Sequence, residues 1–126
     1  MKDIKILLID DDDKVKFNLN LFLEDEGFDC HAVETAEHAV DYLNNINGEI
    51  DLAIVDIRLP GMSGEEFIPI MKNKFPEIKT IIHTGSTDYR CPKEFEKYNI
   101  SDDEVFHKPI NDLTKLVDKI YSLVDE

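Results

Sequence analysis

The chain alternates short, mostly apolar runs with longer stretches in which apolar residues return every three or four positions, and this alternation predicts a series of strands and helices. IKILLI (4–9) is flanked by charge and reads as a strand buried on both faces. Val15, Leu19, Phe22 and Leu23 then stand at i, i+4, i+7 and i+8, which predicts a helix that Gly27 is placed to end. FDCHAV (28–33) predicts a second strand, Ala36, Ala39, Val40 and Leu43 a second helix, and DLAIVD (51–56) a third strand. Beyond the loop IRLPGMSG, EEFIPIMKNKF predicts a third helix that Pro69 should kink or delay, and KTIIHT (79–84) a fourth strand. Residues 88–99 carry the weakest pattern, with Pro92 placed to open a short helix, KEFEKY. EVFHK (104–108) is a fifth strand. Ile110, Leu113, Leu116, Val117, Ile120, Leu123 and Val124 form one apolar face of a closing helix with Asn111 at its N-cap. Five strands alternating with five helices imply an α/β fold, a doubly wound five-stranded parallel sheet whose ligand site lies outside the carboxyl ends of the strands.

Length and charge narrow the classes of function. A chain of 126 residues that is 42% hydrophobic suits a single domain spanning residues 1–126, with one continuous core. A formal net charge of −14 excludes direct nucleic-acid binding and attachment to an anionic membrane, and favours a basic partner surface or a cation. No apolar run approaches the roughly 18 residues of a membrane span, and MKDIK lacks a signal-peptide pattern, so a cytoplasmic location is expected. Met1 suggests a native start, whereas the end at VDE fits either a natural terminus or a longer protein. Cys30 and Cys91 have no metal-ligand or redox spacing and are expected to be free thiols.

The candidate chemistry collects at the strand ends. In LLIDDDDKVKF (7–17) an apolar strand runs into four aspartates, whose mutual repulsion is relieved either by solvation or by a cation. Asp10 and Asp11 end the first strand, Asp56 the third, Thr84 the fourth and Lys108 the fifth. Three carboxylates, a hydroxyl and an ammonium at one sheet edge suit Mg²⁺ and a phosphoryl group. Asp12 and Asp13 are assigned to the positive end of the first helix, with Asp13 as N-cap, and turn geometry accounts for Pro60, Gly61 and Gly64. Strand alternation turns His83 and His107 away from the face of Thr84 and Lys108, and His31 and His38 are polar-face residues. The bond between Lys108 and Pro109 is a candidate cis peptide.

The motifs IDDDDKVK, VDIRLPGMSG, HTG and FHKPI, in that order, resemble those of the receiver domains of two-component response regulators, in particular single-domain chemotaxis-type receivers. The resemblance implies a flavodoxin-like (βα)5 fold with strand order 2-1-3-4-5. It also implies a switch that catalyses its own phosphorylation and dephosphorylation. By resemblance, Asp56 accepts a phosphoryl group from the phosphohistidine of a histidine kinase or phosphotransfer protein. Asp10, Asp11, Asp56 and the Arg58 main-chain carbonyl hold Mg²⁺, Thr84 and Lys108 contact the phosphoryl oxygens, and a downstream protein effector reads the result. One departure bears on output: Val105 stands three residues before the lysine, where the family usually has Tyr or Phe, and the aromatic here is Phe106. Two other readings stay open. Asp10 and Asp12 form an Asp-x-Asp, as in phosphohydrolases of the haloacid dehalogenase type with Asp10 as nucleophile, although VDIRLPGMSG has no role there. The other is a non-phosphorylated interaction module on the same fold.

Overall fold

A computed structural model describes residues 3–124. Its strands are β1 (Lys5–Ile9), β2 (Asp29–Val33), β3 (Leu52–Val55), β4 (Lys79–Thr84) and β5 (Val105–His107). They form one sheet, all parallel, in the order β2-β1-β3-β4-β5. The helices are α1 (Asp13–Asp25), α2 (Ala36–Asn45), α3 (Gly64–Lys74) and α4 (Leu113–Val124). Where a fifth helix was expected, Lys93–Tyr98 is a 3-10 helix opened by Pro92 and closed by Asn99 at φ 62, and a second 3-10 turn covers Asp102–Glu104. Six residues between a proline and a left-handed residue leave no room for α-helical pairing to propagate.

The apolar runs are continuous because helices cover both faces of the sheet. On one face, Leu7, Ile9, Ala53, Val55 and Ile82 pack with Ala39 and Leu43 of α2 and Phe67, Ile68 and Met71 of α3. On the other, Ile6, Leu8, Ile54 and Ile81 pack with Leu19 and Leu23 of α1 and Leu116 and Ile120 of α4. Each such fully buried aliphatic side chain stabilises by up to about 1.5–3 kcal/mol. A one-residue slip of any strand would exchange its two faces, so both cores pin the register that brings the strand ends level.

Local signals end the helices mostly as expected. Gly27, at φ +97, follows α1, and the Phe28 amide donates to Leu23 O at 3.1 Å. Two caps lie one residue from their expected places. Asp12, not Asp13, caps α1, its Oδ1 accepting from the Lys14 and Val15 amides at 3.0 and 3.1 Å. Asp112, not Asn111, accepts from the Thr114 amide at 3.1 Å at the start of α4. Helix α3 is not delayed by Pro69: it begins at Gly64, one residue earlier than expected, and runs through the proline. A capping box fixes that start, with Ser63 Oγ accepting from the Glu66 amide and Glu66 Oε1 from the Ser63 amide. At its other end the buried Lys72 ammonium donates to Pro76 O and Ile78 O at 3.0 and 2.8 Å. Among the described residues no helix is long and apolar enough to cross a membrane, and Cys30 and Cys91 are free thiols.

Candidate functional site

The carboxyl ends of β1, β3, β4 and β5 meet at one edge of the sheet. Asp10 follows β1 with its amide on Val33 O, and Asp56 follows β3 with its amide on Ile9 O. Both side chains are buried, and Asp11 beside them is exposed. Backbone amides orient the buried pair: Asp12 N–H donates to Asp10 Oδ1 at 2.9 Å, and Arg58 N–H donates to Asp56 Oδ1 at 3.1 Å. The remaining oxygens face Lys108, whose ammonium lies 3.1 Å from Asp56 Oδ2 and 2.8 Å from Asp10 Oδ2. The Lys108 amide in turn donates to Thr84 O at 2.7 Å, tying the lysine to the end of β4. Thr84 is fully buried, and its hydroxyl oxygen accepts from the Ser86 amide at 3.1 Å. The Lys108–Pro109 bond is cis, as the sequence suggested.

Charge in this pocket is finely opposed. Burial raises the Asp56 pKa, and the hydrogen bond and charge of Lys108 pull the other way. Burial pulls the Lys108 ammonium down, but its bonds to Asp10 and Asp56 outweigh burial and leave the pKa above its ordinary value. One carboxylate oxygen from each of Asp10, Asp11 and Asp56 falls within 4.8 Å of the others. With all three ionised, one ammonium leaves two negative charges unbalanced, and the donors are all hard oxygens, so the set fits a divalent cation such as Mg²⁺. Asp12 is not in this cluster, since its carboxylate caps α1, and the two acids of the Asp-x-Asp therefore do not share a site.

The structure changes the reading of Gly64 and of the two strand-end histidines. Gly61 is a turn residue at φ +74, but Gly64 is the first residue of α3, and a Cβ there would lie 2.2 Å from Asp56 O and 2.9 Å from Ile57 Cα. Its service is close approach of α3 to the backbone that carries Asp56. The Gly64 amide donates to Ile57 O at 2.9 Å across that contact. His83 faces the α1/α4 side, away from Thr84 as expected but on the same side as Lys108, whereas His107 pairs in register with Thr84 and so shares its face of the sheet, although it is exposed. Val105 packs with the α2/α3 core and Phe106 with the other. Among the aromatics of Val105's core is Tyr89, half-buried, whose hydroxyl donates to Glu65 Oε2 at 2.8 Å. No spacing rule pairs Tyr89 with Glu65, whereas Ser63-x-x-Glu66 is a legible capping box.

Comparison with known proteins agrees with this geometry. A family model of the response regulator receiver domain matches residues 6–121. Among curated proteins, a cyclic di-GMP phosphodiesterase of Thermotoga maritima is 31% identical over 106 residues, which cover 84% of this chain and 27% of that protein. The chain therefore spans little more than a quarter of that relative's length. Among solved structures, a CheY-like receiver domain protein of Methanospirillum hungatei superimposes with a TM-score of 0.81 at 28% identity, covering 98% of this chain and 95% of that one. The response regulator TrrA of Thermotoga maritima, solved in complex with Mg(2+)-BeF, gives a TM-score of 0.80 at 29% identity over 95% of this chain and 98% of its own. TrrA is also solved in complex with the histidine kinase ThkA. Fold, strand-end chemistry and family model coincide over nearly the whole chain, which belongs to the response regulator receiver domains.

Proposed function

We propose that this receiver, as one unit over residues 1–126, is a phosphoacceptor in a cytoplasmic two-component phosphorelay. In this reading Asp56 takes a phosphoryl group from the phosphohistidine of a histidine kinase or phosphotransfer protein, and the phosphorylated form binds a downstream protein effector. The observation that carries it is the Lys108 ammonium held between Asp56 and Asp10 at the carboxyl edge of the sheet. An oxygen of the Asp56 carboxylate attacks phosphorus as the P–N bond breaks, the electron pair of that bond returns to the imidazole nitrogen, and the phosphoryl group keeps its three oxygens. Lys108 opposes the charge that spreads over those oxygens, and by favouring the ionised form of Asp56 it also keeps the nucleophile ready. The Thr84 oxygen already accepts from the Ser86 amide, so its proton is free to be donated to a phosphoryl oxygen. Asp10, Asp11, Asp56 and the Arg58 carbonyl are the groups that would hold Mg²⁺, which when bound supplies charge neutralisation and alignment for the transferring oxygens.

The test is exposure of the native chain to acetyl phosphate with Mg²⁺, followed by intact-mass spectrometry. One added phosphoryl group is expected in the native protein and none in Asp56→Asn. A modification that survives Asp56→Asn and disappears in Asp10→Asn would overturn the assignment in favour of Asp10 as nucleophile. No modification of any form would favour the interaction module.

A further inference from the structure

The loop after β4 and the first turn of α3 are joined by one side chain. The hydroxyl of Tyr89, in the loop that follows Thr84, donates to Glu65 Oε2 at 2.8 Å. Glu65 stands in the first turn of α3, next to Gly64, whose amide donates to Ile57 O beside Asp56. From Tyr89 a line of bonds leads back to the site. Its amide donates to Ser86 O at 3.3 Å, closing a turn over residues 86–89, and the Ser86 amide donates to Thr84 Oγ1 at 3.1 Å. Gly85, Thr87 and Asp88 are exposed, and a Cβ at Gly85 would meet nothing within 4 Å, so Tyr89, half-buried against the α2/α3 core, is the anchor of this turn. Burial and the bond to Glu65 raise the Tyr89 pKa, so the phenol keeps the proton it donates.

We propose that Tyr89, held by Glu65, is a positioning residue for phosphoryl transfer: it fixes the 86–89 turn so that the Ser86 amide sets the direction of the Thr84 hydroxyl. This role rests on Asp56 being the phosphoacceptor, as proposed above. The Thr84 main chain is already placed by β4 and by the Lys108 amide on Thr84 O, so the hydroxyl is what remains to be oriented. A hydroxyl turns to suit its partners, and with one lone pair tied to the Ser86 amide its proton points away from that amide, free for a phosphoryl oxygen. A loosened turn lets the Ser86 amide leave, and the orientation must then be recovered at a cost when the phosphoryl group arrives. Packing does not need the phenolic oxygen. A Phe at this position keeps the ring against the core and loses only the bond to Glu65.

Beryllofluoride, a stand-in for the phosphoryl group on a carboxylate, tests the role by titration into the full chain at saturating Mg²⁺, followed by amide NMR, with Mg²⁺ alone titrated in parallel. Thr84→Ala is expected to bind beryllofluoride about tenfold more weakly, the worth of one hydrogen bond. Tyr89→Phe should bind it about fivefold more weakly, since a positioning residue loses at most what its target contributes. Added to Thr84→Ala, Tyr89→Phe should change nothing further, because both act through one hydroxyl. Glu65→Leu should match Tyr89→Phe, whereas Glu65→Gln, which keeps an acceptor oxygen, should stay near native. Affinity for Mg²⁺ alone should be unchanged in Tyr89→Phe. Native beryllofluoride affinity in Tyr89→Phe, a full loss that persists in the Thr84→Ala background, or a parallel loss of Mg²⁺ affinity would each overturn the role of Tyr89 while leaving Asp56 as phosphoacceptor. Failure of the native chain to bind beryllofluoride would instead overturn the phosphoacceptor reading, and the role of Tyr89 with it.

Discussion

Gly64→Ala should destabilise this protein, although glycine-to-alanine changes inside helices ordinarily stabilise by roughly 0.5–1 kcal/mol. The added methyl would lie 2.2 Å from Asp56 O and 3.0 Å from Asp56 C. A close C···O approach is about 3.3 Å, so α3 and the end of β3 must part by roughly 1 Å. Neither side yields easily: Phe67 and Ile68 of α3 are fully buried, and Asp56 is anchored through its amide to β1 and through its carboxylate to Lys108. Overpacking of this kind costs about 1–3 kcal/mol, and stretching the bond from the Gly64 amide to Ile57 O adds about 1 kcal/mol. Set against the gain in helix propensity, the net loss is about 2 kcal/mol. That corresponds to a fall in Tm of roughly 6–10 °C for a chain of this size. Gly85→Ala is the control, since a Cβ there meets nothing within 4 Å and its φ is not positive. Its effect should be neutral or a gain of up to about 1 kcal/mol. Urea unfolding of both variants beside the native protein measures the difference. Gly64→Ala at native stability, or no worse than Gly85→Ala, would refute the close-approach reading.

His83, whose folded pKa is lowered to about 4 from 6.5, stabilises fully above its unfolded pKa and loses that contribution as pH falls from about 6.5 towards 4. Native stability should therefore fall by up to roughly 3 kcal/mol more than that of His83→Phe across this window in paired urea melts, and parallel pH profiles would contradict it. Lys72→Met strips two backbone carbonyls of their donor, and a loss of about 1–3 kcal/mol by thermal or urea unfolding is expected. With Val105 small and stiff at χ1, and Phe106 on the other face, a beryllofluoride-bound form should gain amide-exchange protection mainly in the loops after β3 and β4. Strong protection across 93–106 would show that another residue, with Tyr89 the first to test, carries the change.

Which parts of the fold were readable follows from how far each signal travels along the chain. Strands such as IKILLI and DLAIVD were legible because burial on both faces leaves a contiguous apolar record. Helix caps were legible only to within a residue, because neighbouring Asp12 and Asp13, or Asn111 and Asp112, are equally able to cap in isolation. Residues 93–98 were ambiguous because a six-residue segment has too few turns to show a period. The strand expected over 104–108 shrinks to Val105–His107 because Glu104 closes a 3-10 turn with Ser101 and reaches Lys119 at 2.7 Å, a long-range contact.

By itself the sequence determined the alternation of strands and helices, and hence a parallel sheet with Asp10, Asp11, Asp56, Thr84 and Lys108 all at strand ends, since local periodicity and position within each run suffice for that. Only the tertiary structure decided that Lys108 reaches both buried carboxylates, that Gly64 rather than any side chain must stand against Asp56, and that the nitrogens of His83 are left without partners. Those are properties of distances between segments far apart in the chain, set by how two apolar cores close on one sheet, and no local pattern records them.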